Sequence, residues 1–92
     1  MRDVLTAALR DTLGALGVDA PAEIHLERPA RREHGEFSTN VAMATAKAAG
    51  RNPRELAQQL ADALTADPPR HVTAVEVAGP GFVNFRLDPA WL

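Results

Sequence analysis

Residues 75–87 read VEVAGPGFVNFRL, two short alternating runs on either side of a glycine–proline–glycine turn. Val75 and Val77 flank Glu76, and beyond the turn Val83, Phe85 and Leu87 alternate with Phe82, Asn84 and Arg86. A period of two marks a strand with one buried face, because successive side chains leave opposite sides of the backbone. Glycines supply the backbone angles that other residues avoid, so the two runs predict an antiparallel hairpin. If Val83, Phe85 and Leu87 face a core, Phe82, Asn84 and Arg86 must face away from it.

Upstream lies RNPRELAQQLADAL, residues 51–64. Asn52 is placed to cap a helix, Pro53 suits the first helical position and Glu55 stands three residues after the cap. Leu56, Leu60, Ala63 and Leu64 form its apolar stripe, and Asp67, Pro68 and Pro69 end it. A second helix spans Asp3 to Leu16, with Leu5, Leu9, Leu13 and Leu16 on one face and Gly17 just beyond. The alanine-rich run from Val41 to Ala49 predicts a third, closed by Gly50 and capped by Ser38 or Thr39. Ile24 and Leu26 alternate with Glu23, His25 and Glu27, a short strand stopped by Pro29. The order helix, strand, helix, helix, strand, strand implies an α+β fold, a small antiparallel sheet packed on one face by about three helices.

Ninety-two residues suffice for a single modest core, and 46% hydrophobic with 24% charged residues is an ordinary globular composition. With no cysteine there is no disulfide framework, thiolate metal site or thiol nucleophile, which suits a cytoplasmic protein. No apolar run is long enough to span a bilayer, so no membrane partner is expected. A net charge of −2 argues against non-specific binding of nucleic acid, which requires neutralising many phosphates. Local basic patches remain available for it.

Nothing in the chain resembles an active site. There is no phosphate-binding glycine loop and no nucleophile elbow, and His25, His34 and His71 lack metal-ligand spacing. No catalytic residue, metal or cofactor is expected within these residues. The outward triplet is more informative. An exposed aromatic can stack on an unpaired base, an amide carries a donor and an acceptor for a base edge, and an arginine can hold a phosphate. The competing reading folds Phe82 over the hairpin or a neighbouring helix. Arg28, Arg31 and Arg32 cluster before the alanine-rich helix, and Lys47, Arg51 and Arg54 cluster after it. Either group could contact phosphate, or be surface charge partly neutralised by Glu27, Glu33, Glu36 and Glu55.

Three segments in this order, HGEFSTNVAMATAK, NPRELAQQLADAL and VEVAGPGFVNFRL, closely resemble the N-terminal additional domain of bacterial arginyl-tRNA synthetases. The resemblance covers nearly the whole chain. It implies that residues 1–92 are one such domain, lacking the catalytic and anticodon-binding domains. In the family this domain docks on the tRNA elbow and touches the D loop, through an aromatic that stacks and an amide two residues on that bonds the base edge. The matching positions are Phe82 and Asn84; Arg86 as a phosphate contact is our own addition. The resemblance further implies that arginine tRNA and the catalytic domain of the parent ligase are the partners. ATP and magnesium then belong to that parent enzyme of protein biosynthesis, not to this chain. The alternative is a free-standing module of the same fold that binds a protein.

Overall fold

The computed structural model describes residues 1–90, with only the side chain of Arg32 left out among them. In chain order the elements are α1 (Arg2–Ala15), a 3-10 turn (Arg32–His34), β1 (Phe37–Thr39), α2 (Val41–Ala49), α3 (Pro53–Ala66), β2 (Val72–Ala78) and β3 (Phe82–Leu87). The sheet has three strands in the order β1-β3-β2, antiparallel throughout. Phe85 of the central strand pairs with Phe37 on one side and Val75 on the other, and Val83 with Thr39 and Val77.

Helix α3 begins where the sequence places it. The Asn52 carboxamide oxygen accepts from the Arg54 and Glu55 amides at 2.9 and 3.2 Å, and Pro53 has no amide hydrogen to leave unpaired. Its Leu56, Leu60 and Leu64 join Leu5, Leu9 and Leu13 of α1 and Val83, Phe85 and Leu87 of β3 in one buried cluster. Each such side chain contributes about 1.5–3 kcal/mol through burial. Both α1 and α2 stop at a left-handed glycine. Gly17 has φ of 77° and lets the Val18 amide reach the Leu13 carbonyl at 2.8 Å; Gly50, at 67°, does the same for Arg51 and Ala46 at 2.9 Å. The predicted fold class therefore holds, and so does the hairpin across residues 78–82.

Two local expectations are corrected. The segment from Glu23 to Glu27 buries Leu26 but forms no strand; its only ladder contact is the Glu27–Ser38 bridge, with reciprocal bonds of 2.9 and 2.8 Å. Nearby carbonyls are taken by arginines instead: Arg2 donates to Leu26, and Arg10 to Pro21 and Ala22. The first strand of the sheet is β1, in a stretch that reads as a polar loop. Accordingly the N-cap of α2 is Asn40, not Ser38 or Thr39, although the Thr39 hydroxyl still accepts from the Val41 amide at 3.2 Å. No helix among the described residues is long and apolar enough to cross a membrane.

The docking of β1 on β3 rests on Gly35. Its φ is 92°, and a β-carbon there would stand 2.5 Å from the Phe85 carbonyl oxygen, far inside contact distance. Next to it, the Glu36 amide donates to that same carbonyl at 2.9 Å, and the Glu36 carboxylate accepts the Leu87 amide at 2.8 Å. Gly35→Ala is therefore expected to destabilise the fold by about 2–4 kcal/mol, the cost of a strained angle together with a displaced strand. Gly14→Ala, in α1 with nothing within 4 Å of the added carbon, should stabilise it by about 0.5–1 kcal/mol. Urea unfolding of the two variants checks the pair, and similar shifts in both would contradict the assignment.

Candidate functional site

On the sheet face away from the helices, β3 carries Phe82, Asn84 and Arg86, and the three meet different surroundings. Phe82 is 39% exposed, one of two large apolar side chains displayed in this way among the described residues. It opposes Ala78 across the hairpin, with the turn folded beside it. That turn is tightly seated: Gly79 has φ of 55°, Gly81 has φ of 145°, and the Gly81 amide donates to the Ala78 carbonyl at 3.3 Å. A β-carbon on Gly81 would lie 3.1 Å from both the Met43 side chain and the Pro53 carbonyl, so the turn packs directly on the helices. Arg54 completes the seat by donating to the Gly79 carbonyl. Phe82 thus projects from a braced turn.

Asn84 points outward with Phe82 but is only 7% exposed. Alternation along the strand explains its direction; the segment before β1 explains its burial. Ser38 flanks it on β1 and Glu76 on β2. The segment 27–36 rises beside it, so that an open concavity of about 380 Å³ forms with Asn84 in its floor, Phe82 and Pro80 on one side and Pro29 and His34 on the other. The Asn84 carboxamide makes no hydrogen bond with the described residues, yet none of its atoms is sealed from solvent without a partner. It therefore offers two donors and an acceptor to whatever enters. A smaller hollow of about 40 Å³, reaching Thr39 and Asn40, shares Glu27, Ser38 and Phe82 with the first.

Arg86 is not a free cation. Its Nε donates to the Glu76 carboxylate at 2.5 Å and its Nη2 to the Glu33 carbonyl. The Glu76 hydrogen bond, then the Glu76 charge, raise its already high pKa further. The other basic residues singled out from the sequence are dispersed. Arg28 lies over the Phe37 ring at 5.4 Å, and Arg31 forms an exposed pair with Glu33 at 3.4 Å. Both stand on the segment that walls the concavity. The side chain of Arg32 lies outside the described residues. Lys47 is exposed in the last turn of α2, and Arg51 donates to the Leu16 carbonyl and, at 3.0 Å, to Gln59. The structure thus places Phe82, Asn84 and Arg86 on one face of β3, lines the hollow with Phe82 and Asn84 together with Glu27, His34 and Ser38, and leaves Arg86, Lys47 and Arg51 outside that lining.

The three added residues have weak signals in the sequence. His34 reads as a solvated loop histidine, and Ser38 becomes a neighbour of Asn84 only through β1. Among the described residues no group of three or more histidine, aspartate or glutamate side chains could hold a metal ion.

Comparison with known proteins gives one consistent family. A family model described as the arginyl tRNA synthetase N terminal domain matches residues 2–87. The arginine–tRNA ligase of Bordetella pertussis is 55% identical over 74 residues, covering 78% of this chain and 13% of that protein. The arginine–tRNA ligase of Prosthecochloris aestuarii is 40% identical over 92 residues, the whole of this chain and 16% of that protein. The structure of Thermus thermophilus arginyl-tRNA synthetase superposes with a TM-score of 0.77 at 30% identity, covering 96% of this chain and 14% of that one. The chain spans 13–16% of the length of these relatives.

Because the Asn84 carboxamide has no hydrogen-bond partner among the described residues, Asn84→Ala should cost less than about 1 kcal/mol of stability, unlike the loss of a bonded buried amide. Equilibrium unfolding measures this, and a loss of several kcal/mol would show that the side chain is structural.

Proposed function

Since the chain belongs to the arginyl-tRNA synthetase N-terminal domain family, we propose that it is a tRNA-recognition module of an arginine–tRNA ligase and contacts the D loop at the tRNA elbow. Phe82 stacks on a base displaced from that loop, and Asn84 reads the edge of the same base from the floor of the concavity. The observation that carries this reading is the pairing of a displayed aromatic with an almost buried carboxamide that has no hydrogen-bond partner among the described residues. A displayed aromatic beside a carboxamide that faces an open hollow suits a nucleotide better than a protein surface. An unpaired base has both a face to stack and an edge to bond.

Arg28 and Arg31, on the wall segment, are the cations best placed for the flanking phosphates; Arg32 and Lys47 are further candidates. The catalytic domain of the ligase is the tethered partner, and it is there that ATP, magnesium and arginine would react. Chemistry at the arginine carboxylate has no residues to perform it here, so this domain contributes position.

Magnitudes set how it works. One base stack contributes about 1–3 kcal/mol. Edge bonds add a similar amount, about 1–3 kcal/mol. Their sum lies near the roughly 4 kcal/mol of a millimolar complex. Alone, the domain binds weakly. Joined to a catalytic domain that already holds the tRNA, it meets the loop at an effective concentration of about a millimolar or more, and each bond then counts fully.

The test is a titration of this chain, at high concentration and low salt, with an RNA hairpin carrying the D arm of an arginine tRNA, followed by NMR. Phe82→Ala should weaken binding by about 1–3 kcal/mol whatever the loop base. Asn84→Ala should instead flatten the differences among loop-base variants, since base-edge bonds carry the sequence information. Absence of any shift at Phe82 and Asn84 with the wild-type chain would overturn the reading.

A further inference from the structure

The wall of the concavity that carries Pro29 and His34 belongs to no strand or long helix. Its backbone is anchored to the sheet at its two ends, by the Glu27–Ser38 bridge and the Glu36 amide on the Phe85 carbonyl; between them lies only a short 3-10 turn, whose position is left to side chains. Arg86 spans that gap. It rises from the central strand, bonds Glu76 on β2 through Nε, and reaches the Glu33 carbonyl inside the 3-10 turn through Nη2. Glu33 immediately precedes His34, which faces the hollow.

We infer that Arg86 is a positioning residue: together with Glu76 it straps the 3-10 turn to the sheet and so sets the width of the concavity over Asn84. This rests on the reading of the concavity as a base-binding site, and it gives Arg86 a different task from the phosphate contact expected of it from the sequence. A guanidinium suits the task because its planar fork presents donors to two acceptors at once. A lysine ammonium is a single point on a flexible stem and cannot hold that geometry. The Glu76 carboxylate beside it also cancels most of the field that a phosphate would feel.

The two roles differ in sign, which makes them separable. If Arg86 binds phosphate, Glu76→Ala frees the cation, removes a repelling carboxylate and strengthens RNA binding, while Arg86→Lys retains binding and its salt dependence. If Arg86 positions the wall, both variants weaken binding by about three- to tenfold and reduce discrimination among loop bases. The slope of affinity against salt should then stay unchanged in Glu76→Ala and Arg86→Lys alike, because no phosphate contact is lost.

The experiment titrates the wild-type chain, Phe82→Ala, Arg86→Lys and Glu76→Ala with the D-arm hairpin at three salt concentrations, and records backbone relaxation of residues 31–36 in each free protein. Unchanged shifts for Val83 and Phe85 establish that the core is intact. Weaker binding in both Arg86→Lys and Glu76→Ala, with increased motion in 31–36 and a constant salt slope, is the expected result. Stronger binding in Glu76→Ala, or full retention in Arg86→Lys with a rigid 31–36 segment, overturns the positioning role. If the wild-type chain and Phe82→Ala both fail to bind, the base-binding reading itself is what fails.

Discussion

The close approach of Gly35 to the Phe85 carbonyl is the constraint on which the sheet and the concavity both depend. Only a residue without a side chain lets the chain pass so near the central strand. Once there, the Glu36 amide takes the Phe85 carbonyl, and its carboxylate takes the Leu87 amide just beyond the end of β1. Register is then fixed along the next three residues. Phe37 enters the core, Ser38 turns outward beside Asn84, and Thr39 returns inward to meet the first free amide of α2. Ser38 in turn holds Glu27, which brings the incoming segment over the sheet. A hollow on the solvent side and a helix start on the core side thus follow from the same contact.

Arginine has an unusual share in holding the irregular parts together. Arg2, Arg10, Arg51, Arg54 and Arg86 each donate to a backbone carbonyl outside the regular ladders, at Leu26, Pro21, Leu16, Gly79 and Glu33. Such carbonyls lie on a chain that turns too sharply to pair with itself, and a long fork of donors reaches them without a strand being built. The consequence is electrostatic. Cations engaged in this way are held in place on the domain's own backbone, and the net charge is −2, so the domain has little capacity for sequence-independent attraction to RNA. Whatever selectivity it has must come from shape, stacking and hydrogen bonding over a small area.

What was legible in the sequence follows the range of the forces involved. Helix α3 was plain because its cap, proline and apolar stripe act within a few residues, and the hairpin was plain because turn and alternation are adjacent. The outward direction of Phe82 and Asn84 followed from the same alternation. β1 was not legible, because three residues are too few to show a period and Ser38 and Thr39 serve equally well as helix caps. The depth of Asn84 was hidden for a different reason: its cover comes from 27–36, held by bonds that cross long stretches of chain. The bond from Arg86 to Glu33 spans 53 residues, and its acceptor is a main-chain oxygen, which leaves no trace in residue type. An arginine there reads as a surface cation until the fold supplies the acceptor.

The division of labour between Phe82 and Asn84 follows from how each interaction fails. A stack is nearly indifferent to which base it meets, so Phe82 in the proposed role supplies affinity with little choice. A carboxamide in a hollow behaves asymmetrically. Water satisfies it while the hollow is open, and a base with the complementary edge replaces that water at small cost. A base that fills the hollow without complementing the amide strands its donors away from solvent, at about 1–3 kcal/mol for each group left unmet. Discrimination therefore arises from exclusion of water more than from the strength of the correct bond, and it depends on the wall standing at the right distance. A wider hollow would admit water beside the wrong base and forgive it. The selectivity of Asn84 is on this account a property of the strap as much as of the amide, and the fold places the reading group on the rigid central strand while leaving its gauge to Arg86 and Glu76.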